Sequence, residues 1–564
     1  MPIPDPSDTM WGPVALPDWV EAIRPHQWDA VQEVTELLLH GTGSGPVDVV
    51  FLEAPTGSGK SLIAELVRRR LGTRAVYSCT TKALQHQIEG AFDYAKVVKG
   101  RANYLTQMGS VDEWGNPKAV GQSDITCADC TWQARTEECR WCVTRKGCPY
   151  QMVKTTAQMA ELAVVNTSYL LTVAATGGQG FHTRGLSVID EADTLESELL
   201  SHAELVITKR RMERLGLEYP AKKTVESAWV QWAEDSFEVV QRYLKWLTKP
   251  WDPKATLNHI RHWNGVTELY EKLAHIKTSL PDGGWVYDGY KPSQEQGDGP
   301  VIFRPVQVGD YGHQLLWANT RKSLLMSATI LSDTWFAEDI GLVRPYSLVK
   351  VPSTFPVANR PIHYIPVADM RYDNREVGWD EMVDGLIGVA NRHPDDRILV
   401  HTVSYRLAQH LYVGLKARFP NRPIYTYNNS GEKDDALRRY KGSKGGILLA
   451  SSMDRGIDLP DDFCRVQVVA KIPYPNIKDR RINARMRGKG GSVWYRMQAI
   501  RSLVQMTGRG VRSETDHAVT YILDQQFALN LWKNGRYLFP SWWAEALSFR
   551  MTKRHLLGPM VSNK

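Results

Sequence analysis

Residues 54–61 read APTGSGKS, a composition suited to gripping phosphate. Gly57 and Gly59 let successive backbone N–H groups curl around phosphate oxygens. Lys60 would reach the β- and γ-phosphates, and Ser61 would set its hydroxyl on Mg2+. Ala54 stands where the simplest such pattern has glycine. Matching carboxylates come at Asp190 and Glu191, which close the apolar run Leu186–Ile189. Asp190 fits the metal side of a nucleotide and Glu191 the activation of a water. An acidic pair after a strand is by itself an ordinary solvated strand end. Downstream of a phosphate loop it becomes the complement that loop requires.

Three later segments extend the pattern. KSLLMSATI carries Ser327, Ala328 and Thr329 after an apolar run, and GGILLASSMDRGIDLP carries Asp454, Gly456 and Asp458 after another. LVQMTGRGVRS carries Gln505, Gly508, Arg509 and Arg512. The spacing of Arg509 and Arg512 predicts one helix face from which both point at a single γ-phosphate. Each segment alone says little; their order along the chain makes the set informative.

A different chemistry is concentrated in TCADCTWQARTEECRWCVTRKGC, which runs from Thr126 to Cys148 and holds five of the chain's seven cysteines. Cys127, Cys130, Cys139, Cys142 and Cys148 follow the spacing C-x2-C-x8-C-x2-C-x5-C. On spacing alone, two C-x2-C pairs favour a zinc knuckle. Cys79 and Cys464 lie in apolar surroundings and read as small core residues.

Holding these groups in place calls for strands that end at the chemistry. Val49–Leu52 reads as a buried strand, followed by the glycine-rich turn and by helical periodicity from Ser61. At 564 residues the chain is too long for one core, and 43% hydrophobic with 23% charged residues describes a globular protein. No apolar run reaches the length of a membrane span. The N-terminal MPIPDPSDTMWGPVALPDW lacks a signal peptide's basic start and apolar stretch, so a cytoplasmic protein is expected. In that reducing compartment clustered cysteines favour metal over disulfides. The net charge of +7 is modest, but basic residues gather at 67–74, 96–101, 209–214 and 478–490, which suits a nucleic-acid backbone.

Together these segments resemble a superfamily 2 helicase over nearly the whole chain. The tetrad DEAD stands at 190–193, yet the last motif opens with Gln505 where DEAD-box RNA helicases have His-Arg. CTTKALQHQ (79–87), KGRANY (99–104), GCPY (147–150), AVVNTSYLL (163–171), KIPYP (471–475) and DHAVTYILDQQF (516–527) are similar to the XPD/DinG group of DNA helicases. That resemblance implies an α/β fold of two RecA-like P-loop domains, parallel sheets flanked by helices. A cysteine-rich metal insertion and a helical arch-like insertion would interrupt them. Motor domain 1 is expected at 1–92, 166–196 and 301–340, and the cysteine-rich insertion at 93–165. The arch is expected at 197–300, with 281–300 as a returning loop, and motor domain 2 at 341–564.

The implied activity is ATP-dependent, 5′-to-3′ translocation on single-stranded DNA with duplex unwinding, on single-stranded and forked DNA in repair or replication. An ATP-driven duplex translocase and an RNA helicase are the alternatives. ATP would contact Gln27, Ala54, Pro55, Thr56, Gly57, Ser58, Gly59, Lys60, Ser61, Gly456 and Asp458, with Mg2+ on Ser61 and Asp190. Turnover would rest on Lys60, Asp190, Glu191, Gln505, Arg509 and Arg512, and coupling on Ser327, Ala328 and Thr329. The position of the cysteines implies a [4Fe–4S] cluster, with zinc as the alternative. Cys148 carries over as the last ligand. Thr106 stands where the group has a cysteine, so four ligands are expected from the five clustered thiols, leaving one spare.

Overall fold

Short runs of β-branched and apolar residues form the strands, which pair into two parallel sheets and one small antiparallel one. The computed structural model describes residues 3–12, 16–105, 126–129, 148–175, 180–181, 184–222, 225–249, 252, 257–279, 284–288, 300–317, 321–429, 431–451, 459, 461–508, 510–511 and 513–557. In chain order, β1 (Val49–Glu53), β2 (Ala75–Cys79), β3 (Ala95–Val97), β4 (Leu162–Asn166) and β5 (Leu186–Ile189) come first. Next, β6 (Leu205–Ile207), β7 (Trp285–Asp288) and β8 (Val301–Pro305) pair antiparallel in the order β6-β8-β7. The chain then returns with β9 (Lys322–Ser327) and β10 (Tyr346–Lys350), completing a parallel sheet of order β10-β1-β9-β5-β2-β4-β3.

A second parallel sheet follows. It contains β11 (Ile362–Ala368), β12 (Ile398–His401), β13 (Ile424–Tyr425), β14 (Ile447–Ala450), β15 (Val466–Val469), β16 (Val519–Asp524) and β17 (Leu547–Ser548). Their order is β13-β14-β12-β15-β16-β11-β17. The expected two-sheet α/β architecture is therefore present.

Parallel strands covered by helices on both faces are buried along their length, and β1 is buried throughout, its last residue Glu53 accepting from Leu331 N at 2.7 Å. Its residues alternate between two cores. Val49 and Phe51 join one, with Ile189 and Leu325 from neighbouring strands; Val50 and Leu52 join the other, with Tyr77 and Met326. The helices that bear on function are α1 (Pro25–His40), α2 (Lys60–Arg70), α3 (Pro149–Met159), α4 (Leu195–Ala203), α5 (Glu226–Trp246), α6 (Leu257–Ser279), α7 (Arg480–Arg487) and α8 (Gly491–Thr507).

Two boundaries differ from the expectation. β10 lies beyond residue 340 yet pairs with β1, so the first sheet runs on to Lys350. The segment between the acidic tetrad and β9 is also not purely helical. Its helices α5 and α6 pack on β6–β8 around a separate core, where Trp229 stacks on Tyr287 at 5.0 Å and Trp232 on Phe303 at 5.7 Å. Thus β8 belongs with this insertion, and part of the expected loop 281–300 is the strand β7. Strands of three to five residues, set among Gly, Pro and Asp, carry too little periodicity to compete with the long helical pattern beside them. Among the described residues, no helix is long and apolar enough to cross a membrane.

Candidate nucleotide site

The phosphate loop turns on its glycines. Gly57 and Gly59 have φ of 82° and 81°, in the left-handed region that side chains resist. A Cβ on Gly59 would also lie 2.3 Å from Gln27 Nε2. Gln27 holds the loop from outside: its Nε2 donates to Ser58 O at 3.2 Å, and its Oε1 accepts from Arg24 N at 3.0 Å. His26 Nε2 also lies 3.1 Å from Ser58 O. Inside the loop, Lys60 Nζ donates to the carbonyls of Ala54 and Pro55, both at 3.3 Å. α2 begins at Lys60, so its first N–H groups and its dipole face the position a phosphate would take.

A single phenol joins this loop to the acidic tetrad. Ser61 Oγ lies 3.3 Å from Tyr77 OH, and that hydroxyl donates to Asp190 Oδ2 at 2.7 Å. Burial and the Asp190 charge push Tyr77 well above its ordinary pKa, so it stays a donor. The expected metal-side pair, Ser61 and Asp190, thus converges across the sheet from β1 to β5. Glu191 sits beyond in the left-handed region, with φ of 50°, and its Oε2 accepts from Thr80 Oγ1 at 2.5 Å. Burial and the nearby charges of Asp190 and Glu191 push the Cys79 thiol up to about 12, which keeps it an inert core group.

The end of β9 supplies the link to the second sheet. Ser327 Oγ donates to Asp193 Oδ1 at 2.6 Å, and Thr329 N donates to Ser327 Oγ at 3.0 Å. From α8, Gln505 Nε2 donates to Asp193 Oδ2 at 2.6 Å and to Thr329 Oγ1 at 3.2 Å. Ala328 packs against the apolar group that contains Ile500, Leu503 and Val504 of α8. Ser327, Ala328, Thr329 and Gln505 therefore meet, with Asp193 between them.

Other expected residues fall elsewhere. α8 ends at Thr507, and Gly510 and Val511 are not helical. Gly508 follows as the C-cap residue with φ of −83°, and position 510 has room only for glycine, since a Cβ there would lie 2.3 Å from that of Ala518. Arg509, Arg512, Asp454, Gly456 and Asp458 lie outside the described residues.

Of the clustered cysteines, Cys127 and Cys148 are described; Cys130, Cys139 and Cys142 lie outside, as does Thr106. Both described thiols are buried, with their Sγ atoms 3.9 Å apart. The backbone fixes them: Cys127 N donates to Tyr104 O at 2.8 Å, and Cys148 immediately precedes α3. Two buried thiols side by side, against a chain that brings three more cysteines nearby in sequence, fit a thiolate-held metal centre. Among the described residues alone, no group of three metal-ligating side chains forms.

Sequence reasoning missed Tyr77, Thr80 and Asp193. Asp193 closes the DEAD tetrad and Thr80 lies in CTTK, so both had a visible motif. Tyr77 is one apolar position of a buried strand and carried no signal.

The DEAD/DEAH box helicase family model matches residues 24–227, and the Helicase C-terminal domain model matches residues 387–546. The chain is 25% identical over 293 residues to the ATP-dependent DNA helicase DinG of Photobacterium profundum, covering 48% of this chain and 41% of that one. It is 31% identical over 110 residues to the Fanconi anemia group J protein homolog of Gallus gallus, covering 17% of this chain and 9% of that protein. Both matched stretches are less than half of the curated relative's length. A solved structure titled XPD_Helicase superposes with a TM-score of 0.59 at 16% identity, covering 92% of this chain and 98% of that one.

Proposed function

Because the chain belongs to the XPD/DinG-like helicases of superfamily 2, we propose that it is an ATP-dependent DNA helicase moving 5′-to-3′ along single-stranded DNA. The observation that carries this reading is the bond from Gln505, in the second unit, to Asp193 beside the catalytic carboxylates of the first. A group that senses the nucleotide side from across the cleft is what a motor needs and a static binding module does not.

In this reading ATP lies along the loop 54–61, with Gln27 keeping the loop in its phosphate-binding curl. Lys60 swings from the carbonyls of Ala54 and Pro55 to the β- and γ-phosphates. Ser61 and Asp190 would hold Mg2+, which neutralises charge on the phosphates. Glu191 orients the attacking water and accepts its proton, while Thr80 fixes the carboxylate's direction. Arg509 and Arg512 stabilise charge developing on the γ-phosphate. Loss of that charge releases the arginines, and Gln505 passes the change through Asp193 to Ser327 and Thr329. Gly456 and Asp458 complete the nucleotide contacts from the second unit.

Cys148, with three of Cys127, Cys130, Cys139 and Cys142, would hold a [4Fe–4S] cluster, with zinc as the alternative. Either metal would supply rigidity next to α3, which packs against β3 and β4 at the edge of the sheet remote from β10.

Unwinding of tailed and forked duplexes with ATP tests the reading, DNA beside RNA. Strand separation that requires a 5′ DNA tail is expected. A requirement for a 3′ tail removes the polarity, RNA-only unwinding removes the substrate, and turnover without separation leaves a translocase.

A further inference from the structure

Helix α8 presents Trp494, Gln498, Arg501 and Gln505 at intervals of four, three and four residues, which puts all four on one face. Every one of them reaches the first unit. Gln505 meets Asp193 and Thr329, as described, and Arg501 Nε donates to Thr329 O at 3.4 Å. At the opposite end of the stripe, Trp494 Nε1 and Gln498 Nε2 donate to Glu196 Oε2 at 2.8 and 2.9 Å. Arg481, on α7, donates through Nη2 to Glu196 Oε1 at 2.7 Å and through Nε to Pro305 O at 2.9 Å. A second pair stands beside it, Arg485 Nη2 to Asp339 Oδ1 at 2.5 Å.

Glu196 is 7% exposed and sits on α4, the helix that follows the acidic tetrad. Burial works against its charge, but Arg481, Trp494 and the more distant Arg501 together hold its carboxyl below the ordinary range. Asp193 and Glu196 are three residues apart in the first unit. Between them they receive donors from both ends of a helix that belongs to the second. One attachment would leave that helix free to pivot; two fix its axis.

We propose that Glu196 is a positioning residue for ATP turnover. When the two units close, it locks the front half of α8 to the first unit, and so sets where Gly508 and Val511 stand, which line one cavity with Pro55 and Thr56 of the phosphate loop. This rests on the motor reading above, since it needs a cleft that opens and closes. The chemistry suits a reversible contact. In a buried ion pair desolvation offsets much of the Coulomb gain, so making and breaking the pair as a unit changes the free energy little. The interface is also incompletely satisfied: Arg501 Nη2, Arg485 Nε and Asp339 Oδ2 are buried there without a hydrogen-bond partner. Removing one partner alone is different, because it strands a buried charge in the closed state only.

The test is steady-state ATP hydrolysis by the full chain with saturating single-stranded DNA. It compares Glu196→Gln, Arg481→Gln, the double variant and Glu196→Asp with the parent. Each single Gln variant should lower kcat about tenfold or more while KM for ATP and Kd for ADP move less than about threefold. The double variant should be less impaired than the product of the singles, and Glu196→Asp should recover part of the loss. Gln498→Leu, which removes one neutral donor, should lower kcat about threefold without stranding a charge. Thermal unfolding of each variant separates lost folding from lost closure, and a Gln498→Leu chain of parental Tm with reduced kcat supports the proposal even if Glu196→Gln unfolds. Parental kcat in folded Glu196→Gln, or strictly multiplicative singles, overturns it. Unchanged turnover in Lys60→Ala would instead overturn the motor reading, so the two failures are distinct.

Discussion

The two parallel sheets share one architecture, but they position their polar groups differently. In the first, the chemistry sits directly after strands: 54–61 after β1, Thr80 after β2, Asp190 and Glu191 after β5, and Ser327–Thr329 at the end of β9. In the second, many of the described side chains that cross to the first come from helices, among them Arg481 and Arg485 from α7 and Trp494, Gln498, Arg501 and Gln505 from α8. The first unit is a receptacle whose groups are held by a buried sheet. In the proposed motor the second is a lever, whose groups move only when a helix moves. A change in the receptacle should therefore abolish a chemical step, whereas a change in the lever should weaken its timing.

The largest effect expected on that contrast is at Lys60. Lys60→Ala should lower phosphate release by at least about a hundredfold, because charge compensation at the phosphates is lost. Single-stranded DNA binding, read by fluorescence anisotropy, should stay within a few-fold. Turnover near the parental level would dissolve the receptacle side of the comparison.

Asp193 lies at the joint. Asp193→Asn weakens two charge-assisted bonds, each worth about 1.5–3 kcal/mol, so kcat should fall about tenfold to a hundredfold with a smaller change in KM. Gln505→Ala should fall less, since it removes one donor and leaves Ser327 in place. A larger loss at Gln505 than at Asp193 would shift the weight of the mechanism to the lever.

Smaller again is Tyr77→Phe. It removes the hydroxyl between Ser61 and Asp190 but keeps the ring in its core. The Mg2+ concentration for half-maximal turnover should rise about threefold, with kcat at saturating Mg2+ nearly unchanged. An unaltered Mg2+ titration would show that the two oxygens are held apart from the phenol.

The smallest effect concerns Asp339, behind the lever. Burial and the Glu196 charge, only partly offset by Arg501 and Arg485, push Asp339 up to about 6. Its folded-state value lies above the unfolded one, so the stability it contributes is full below the unfolded value and is lost as pH rises through about 6. Asn does not titrate. The Tm of Asp339→Asn relative to the parent should therefore move in the variant's favour, on the order of 1–3 °C, between about pH 4 and pH 7.

Much of this is legible in the amino-acid sequence. Val49–Glu53 and Leu186–Ile189 form strands because continuous apolar runs bounded by Gly or Asp leave few alternatives. α5 and α6 follow from amphipathic periodicity over twenty residues and more. The strands β6–β8 escaped because each is short and gains its stability from partners far along the chain. The end of α8 at Thr507, followed by the close approach of Gly510 to Ala518, is likewise set by tertiary packing that the sequence pattern does not announce.

What sequence alone determined is the set of groups whose roles are local: a phosphate loop needs its glycines, lysine and serine within eight consecutive residues, and an acidic pair needs only a strand behind it. Tertiary structure decided which distant groups complete them. Tyr77 reaches Asp190 because β2 and β5 are neighbours, although 113 residues separate the two side chains. Glu196 meets Arg481, Trp494 and Gln498 across 285 to 302 residues, a juxtaposition with no local signature. Such contacts depend on how two folded units dock, and a pairwise electrostatic fit between surfaces leaves no periodicity in either stretch of sequence that makes it.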